Sequence, residues 1–439
     1  MLRRSVLLNV LGQVGSLVVG FVPSILVARW LGPTDRGLYA VIGTTSGIVF
    51  VLAGAGLPMA VWYFASGKPA PTRALLGNSL AYAALLTVLF VPATALLDDR
   101  LGDLFGHGRG GFAWVLAALL IPVTFLDWTT HNQLLGSLRF GLYNTLIVLS
   151  KIVFLVGVVL LLRVVPLGVS GVYLATLAGS LVVIAGALRV ILAAGPPRLD
   201  LALLRRMFSY GGRTQIGGVF QFFNSRFDVL ILQFFRPLSA VGYYVVAQTL
   251  AELVMLLARS FQSTVLSVVT RDADNPESQA ATTATALRHH GLLAVAATLG
   301  NAIFSPLLIL FAYGSAFHKA IVPFFIILPG IWFLGTGLVI ANDLNGRSRP
   351  GLASMLSGMA VGLTVVLDLA LIPTFGVTGA AVASLIAYVA FGVASILVGA
   401  RVAGIPVSSL VPTRADLALY PAAGRRLLTR LNVSVARSR

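Results

Sequence analysis

The chain contains no cysteine. Disulfides, thiol chemistry and Cys-ligated metal sites are therefore excluded. Charge is scarce as well. Only 10% of the 439 residues are Asp, Glu, Lys or Arg, against about 25% in soluble domains. Acidic residues are the rarer sign, 14 against 31 Lys and Arg. No Gly-rich phosphate loop, nucleophile triad or metal-ligand spacing is present. His289 and His290 are adjacent and cannot share a helix face as two ligands would. Asp98 and Asp99 form an isolated pair with no acidic cluster around them. No catalytic residue, metal or cofactor is assigned.

What is abundant is hydrocarbon. The chain is 58% hydrophobic, with a mean hydropathy of +0.94. Such a chain cannot cover its own surface with polar groups and needs lipid as a solvent. Apolar runs of roughly 20 residues, the length that crosses a bilayer core, recur along its length. In lipid each segment must satisfy its own backbone polar groups, so the runs are helices. Spans are expected at about 5–30, 37–64, 74–97, 111–135, 140–163, 169–194, 210–235, 240–269, 284–311, 317–342, 350–373 and 377–400. The run Val6–Ala28 is too long for a signal-peptide core and lacks a cleavage site. It is read as the first span.

A net charge of +17 on a soluble protein would suggest nucleic acid. Here the charges sort by loop instead. With the N-terminus inside, 20 Lys and Arg fall in inner segments, 7 in outer ones and 4 within helices. That bias puts both termini in the cytoplasm of a bacterial inner membrane, with no nucleic-acid partner.

The chain repeats itself. Pro33-Thr-Asp-Arg-Gly-Leu-Tyr39-Ala-Val41 after the first helix returns as Pro237-Leu-Ser-Ala-Val-Gly-Tyr243-Tyr-Val245 after the seventh. Gly168-Val-Ser-Gly171 opens the sixth helix and Gly376-Val-Thr-Gly379 the twelfth. The offsets are 204 and 208 residues. Six helices per repeat insert both halves the same way up, so the repeats are parallel. The expected fold is an all-α polytopic membrane protein of about twelve transmembrane helices in two pseudo-symmetric six-helix lobes, 1–205 and 206–401, followed by a basic tail, 402–439. Pro196 and Pro197 end the sixth helix, and the basic stretch after them is expected to lie along the inner membrane surface.

Charges inside helices are the informative residues, each costing at least ~2.5–3.5 kcal/mol at a span centre. Arg226 and Asp228 in the seventh helix are two apart and point to nearly opposite sides. Asp228 continues a stripe of Thr214, Gln221 and Ser225, and Arg226 one of Gln215 and Gln233. Glu252 and Arg259 share a face of the eighth helix with Gln248 and Gln262. Arg226, Arg259, Lys151, Asp228 and Glu252 are the candidates for a substrate cavity; a neutralised Arg226–Glu252 pair is the competing structural reading. Asp127 and His131 share a face of the fourth helix. They are either a proton relay for ion coupling or a structural hydrogen bond. Lys151 faces the cavity or is neutralised by Asp127 or Asp368, and Asp368 is otherwise expected at the membrane interface. Asn9, Gln13, Ser16 and Ser24 make a polar stripe on the first helix, with a kink at Pro23.

Leu31-Gly32-Pro33-x-Asp35-Arg36-Gly37-Leu38-Tyr39 resembles the polysaccharide-biosynthesis (O-antigen-type) flippases of the multidrug/oligosaccharidyl-lipid/polysaccharide exporter superfamily. The likeness recurs at Asn224-x-Arg226-x-Asp228-x-Leu230, at Val241-Gly242-Tyr243-x-x-x-Ala247 and at both Gly-Val-[Ser/Thr]-Gly turns, and spans roughly residues 1–400. It implies two lobes around a central cavity lined mainly by helices one, two, seven and eight. It implies alternating access for an anionic lipid-pyrophosphate sugar, held by cationic side chains. Arg226 and Asp228 match the family motif; Lys151 and Arg259 stand on the residue reading alone. The implied partners are that lipid-linked sugar, membrane lipids and polysaccharide-assembly proteins. The two extra helices of the peptidoglycan-precursor branch are missing here, because the tail is too polar to supply them.

Three other readings compete. A multidrug cation antiporter of the same superfamily needs an acidic cavity, whereas the mid-membrane bases Lys151, Arg226 and Arg259 match the acids Asp127, Asp228 and Glu252 in number. A sugar polymerase or transferase needs a large or metal-binding outer loop, and the outer loops here are short. The buried charges and the repeat argue against a passive scramblase.

Overall fold

The computed structural model describes residues 2–66 and 70–417, with side chains from Phe21 onward except at positions 216, 221 and 263. Lys68, the stripe Asn9, Gln13 and Ser16, and the basic tail from 418 lie outside that description.

The described residues form helices and connecting turns, with no strand among them. The helices are α1 (Leu2–Ala53), α2 (Leu57–Ser66), α3 (Thr72–Leu96), α4 (Asp98–Gly106), α5 (Phe112–Gly136), α6 (Phe140–Val159) and α7 (Gly168–Ile191). After the Pro196-Pro197 linker come α8 (Leu201–Phe235), α9 (Leu238–Ala251), α10 (Met255–Arg271), α11 (Pro276–Leu307), α12 (Ile321–Gly346), α13 (Pro350–Phe375) and α14 (Val377–Ala403).

Ten helical stretches among the described residues are long and apolar enough to cross a membrane. The difference from about twelve has a local cause. The first two expected spans run as one helix, α1, whose only non-helical residue is Gly32 (φ 73°). The positive φ is one that glycine adopts without a Cβ clash, and Pro33 restarts the chain as a first-turn proline. The second span breaks again at Ala53–Leu57, with α2 beyond. The long α8 is the other difference, because Arg205, Arg206, Arg213, Arg226 and Asp228 keep it too polar for that count.

The basic stretch after Pro197 is not a separate surface segment. It is continuous with α8, whose first turn is capped by Asp200. The Asp200 carboxylate accepts from the Leu203 amide at 2.9 Å, and Asn78 of α3 bonds both backbone groups of Asp200 at 2.9 Å. The cap satisfies donors that a helix start leaves free.

The described chain gathers into two compact units. The first holds residues 1–246, 308–321 and 368–380. Its apolar core joins α2, α3, α5 and α8 through Leu57, Val61, Leu75, Phe125, Leu203 and Met207. Two smaller clusters bind α7 to α3, α5 and α6, and to α1 and α6. Within this unit α1 and α9 cross closely. A Cβ on Gly37 would lie 1.8 Å from the Leu238 carbonyl oxygen, and one on Gly242 would lie 2.0 Å from that of Pro33. Arg29 donates to the carbonyls of Phe311 and Ala312 at 3.1 and 3.2 Å. Arg236 donates to those of Pro373 and Thr374 at 2.8 and 3.1 Å. Each guanidinium satisfies carbonyls that a helix C-terminus leaves over, on the side where positive charge is favoured.

The second unit holds residues 247–307, 322–367 and, among the described residues, 381–417. Its buried polar knot ties α10, α11 and α12. Arg347 pairs with Asp343 at 2.9 Å and donates to Gln279 and Thr283, while Thr283 donates to Asp343 at 2.6 Å and Gln279 to the Val269 carbonyl. Every partner is satisfied, the condition under which buried charge is tolerated. The segment after α14 docks on α11. Arg288 approaches Asp416 at 3.3 Å, and Thr413 donates its amide and hydroxyl to the same carboxylate. Those Thr413 bonds, with Arg288 adding to them, hold the Asp416 pKa below the usual carboxylate value.

A depressed pKa means the docking is at full strength above the unfolded value, about 3.9, and is lost as pH falls through the lowered one. Amide exchange over residues 407–417, corrected for intrinsic rate, is expected to be slow at pH 7 and to rise only below about pH 4. Asp416→Asn is expected to show the fast exchange already at pH 7. Equal protection in the variant would remove Asp416 as the anchor.

Large apolar side chains remain exposed along several helices. Val88 and Leu89 on α3, Val148, Ile152 and Val156 on α6, and Leu299, Ile303 and Phe304 on α11 are among them. Water-soluble monomers rarely expose continuous apolar surface on this scale. These faces suit lipid, as the composition requires.

Candidate functional site

Buried ionisable groups within the spans mark the candidate site, because each must be held by a partner or by function. Asp228 of α8 is 1% exposed. Its carboxylate accepts from the Val229 amide at 2.8 Å and from the Tyr244 hydroxyl of α9. Asp368 of α13 is 0% exposed, which overturns its expected place at the membrane interface. Neither of its carboxylate oxygens accepts a hydrogen bond from the described residues, and Asp228 is its charged neighbour. Spacing could not show this. The two aspartates are 140 positions apart and meet only because α13 packs beside α8. Two like charges in a dry interior repel, which favours a proton or a positive charge beside the pair. No cluster of three or more His, Asp or Glu occurs among the described residues.

Arg226 lies half-buried two residues before Asp228 on the same helix. Its charged neighbour in the first unit is a residue the sequence reading did not single out, Arg36. Arg36 is 8% exposed and sits over the Tyr39 ring at 5.3 Å. Tyr39 and Tyr173 have ring centroids 5.2 Å apart, and the Tyr173 hydroxyl donates to the Tyr39 carbonyl. Asp35, next to Arg36 in sequence, is taken by Arg109 at 3.0 Å. The signal in the sequence was Asp35-Arg36 itself. It read as a loop pair because the turn after the first helix was placed in solvent.

The remaining candidates stand apart. Glu252 is half-buried in a 3-10 turn, Glu252–Val254, that separates α9 from α10. That turn breaks the single face expected for Gln248, Glu252, Arg259 and Gln262, because the seven-residue spacing assumed an unbroken helix. Gln248 is fully buried, whereas Arg259 is exposed on α10. Lys151 is exposed on α6 among exposed Val148, Ile152 and Val156. Its long stem suits such an apolar face with the ammonium reaching for water. Asp127, its other suggested counter-ion, is engaged elsewhere. The Asp127 carboxylate and His131 Nδ1 are 3.0 Å apart, and Tyr143 packs edge-on against the imidazole at 4.9 Å. His131 Nε2 makes no hydrogen bond among the described residues. Of the two polar stripes on α8, the Arg226 stripe is partly spent. Gln215 donates to the Val51 carbonyl, and Gln233 is 1% exposed.

Comparison with known proteins follows the same outline. Residues 2–268 match the family model described as polysaccharide biosynthesis protein. The chain is 27% identical over 368 residues to "Probable low-salt glycan biosynthesis flippase Agl15" of Haloferax volcanii, covering 82% of this chain and 75% of that protein. Among solved structures, the inward closed conformation of lipid II flippase MurJ superposes with a TM-score of 0.76 at 16% identity, covering 92% of this chain and 89% of that one. An inward-facing multidrug resistance MATE family transporter of the MOP superfamily gives 0.73 at 15% identity, over 90% and 98%. At such identities the solved structures establish the fold, and the family match covers more than half of the sequence. The chain is a multi-pass membrane protein with the MATE-like fold and belongs to the polysaccharide biosynthesis protein family.

Proposed function

We propose that the chain is a flippase that moves an anionic lipid-linked oligosaccharide from the inner to the outer leaflet by alternating access, for cell-surface polysaccharide synthesis. The observation that carries this reading is its family membership on a fold shared with a lipid II flippase. The relative in Haloferax volcanii, named as a glycan biosynthesis flippase, supports it. In this reading both termini are cytoplasmic, the lobes are 1–205 and 206–401, and no bond is made or broken. Assembly proteins that hand over or receive the glycan are its partners. Charge decides against a multidrug cation cargo. A basic chain with a buried, unneutralised Arg36 suits an anion and repels a cation.

Arg226, Arg259, Asp228 and Glu252 are proposed to contact the cargo. Lys151 is the weaker candidate because of its exposed apolar surroundings. Uphill movement needs a coupling ion, and two places are suited to one. Asp127–His131 is a dyad with a free ring nitrogen among the described residues. Asp228–Asp368 is fully buried and has unmet acceptors, and it is the better placed of the two.

Arg259→Gln tests the reading. It keeps most of the side-chain volume and removes the charge, so the protein should express normally while lipid-linked sugar accumulates on the inner leaflet. A loss of about tenfold in flipping corresponds to the 1.4 kcal/mol scale of one charged contact. Arg259→Lys should retain part of the activity, since charge survives without the bidentate fork. Arg226→Gln should fail in transport even when Glu252→Gln is added to restore expression. Full flipping by Arg259→Gln at wild-type protein levels would leave Arg259 without a cargo role.

A further inference from the structure

Burial of Arg36 is the least explained feature of the first unit. A guanidinium has five N–H donors and cannot shed its proton. Here Nε makes no hydrogen bond among the described residues, and no carboxylate pairs with the group. All 14 acidic side chains of the protein lie within the described residues. The nearest in sequence, Asp35, is held by Arg109. The Tyr39 ring at 5.3 Å supplies a cation–π contact. Such a contact offsets about 0.5–2 kcal/mol, less than the several kcal/mol that an unpaired buried ion costs.

The surroundings are built for hydrogen bonding to an anion. Tyr313, 2% exposed, is a further neighbour of Arg36. Its hydroxyl makes no hydrogen bond of ordinary geometry, although Ser24 stands beside it. A second guanidinium, Arg226, is also within electrostatic range. Arg36 adjoins in sequence Gly37, where α1 and α9 come close through the Gly37–Leu238 and Gly242–Pro33 approaches. Arg36 therefore precedes the very residue at which these helices touch.

We propose that Arg36, with the Tyr313 hydroxyl, forms a binding site for a phosphate-bearing anion beside the α1–α9 crossing, and that the pyrophosphate of the lipid-linked cargo occupies it before release. The second half of this statement rests on the flippase reading; the first does not. A phosphate oxygen would accept from Nε and a terminal nitrogen in the fork geometry that Arg offers. The Tyr313 hydroxyl would donate to a second oxygen. An occupied site would neutralise Arg36, and a departing one would leave the charge uncompensated.

The test uses the full chain in nanodiscs of a zwitterionic lipid, with two probes. Inorganic pyrophosphate reports a free anion, and farnesyl pyrophosphate reports a prenyl-linked one. The expected result is that Arg36→Gln weakens binding at least tenfold. Arg36→Lys should weaken it several-fold, and Tyr313→Phe two- to fivefold. Dependence on Arg36 for both probes supports the site and its cargo. Dependence for inorganic pyrophosphate alone supports the site and assigns it to a free anion. Unchanged affinity of Arg36→Gln for both probes overturns the proposal, as does absence of wild-type binding to either. Should Arg36→Gln fail to fold, equal affinity of wild type, Arg36→Lys and Tyr313→Phe overturns it. A parallel assay of lipid-linked sugar flipping by wild type separates the two readings. Flipping with Arg36-independent binding removes only the site, while Arg36-dependent binding without flipping removes only the flippase.

Discussion

Asp368→Asn is expected to abolish transport while leaving the protein at least as stable as wild type. The two buried carboxylates of Asp228 and Asp368 repel each other unless a proton or a monovalent cation sits between them. Asparagine copies the shape of a protonated aspartate and removes that repulsion permanently. A group kept for packing would lose stability on substitution; one kept for ion binding gains or holds stability and loses function. If the pair holds a coupling ion, its loss should lower transport by two orders of magnitude or more, about 2.7 kcal/mol. Asp228→Asn should behave less cleanly, because the Asp228 carboxylate also receives the Tyr244 hydroxyl and the Val229 amide. Thermal melts of purified protein in sodium and in potassium, at pH 5.5 and 7.5, read the ion. A wild-type melting temperature that responds to sodium or to acid, with no response in Asp368→Asn, is the expected pattern. Wild-type transport by Asp368→Asn would return the coupling role to Asp127 and His131.

The second large effect concerns the α1–α9 crossing. Gly37→Ala and Gly242→Ala each place a methyl group about 2 Å from a backbone carbonyl oxygen of the facing helix. Backbone cannot rotate away as a side chain can, so one helix must shift. Overpacking of flexible side chains costs about 1–3 kcal/mol, and a backbone clash should lie at or beyond the top of that range. Both variants are expected to express poorly or to melt many degrees below wild type, by fluorescence-detected size exclusion after heating. Gly141→Ala is the control, because nothing lies within 4 Å of a Cβ there. It should be neutral or slightly stabilising, since Ala is the better helix former. Normal thermal behaviour of Gly37→Ala would mean that the crossing opens readily and does not hold the first unit together.

The sequence by itself determined the solvent, the secondary structure and the repeat. Apolar runs of membrane length leave helices as the only option, and most expected spans agree with the helices within a few residues. Local chemistry was legible too, including the Asp127–His131 approach at one helical turn. Partnerships between distant residues were decided only by tertiary structure. Asp368 looked interfacial because depth along a helix is all that spacing reports; burial depends on what packs beside it. Arg36 looked like a loop residue until α7, α9 and the segment around Tyr313 closed over it. Arg259 and Gln248 seemed to share a face, but a 3-10 turn of three residues shifted one relative to the other. Periodicity is a property of one helix at a time, whereas the environment of a charge is set by its neighbours from other helices.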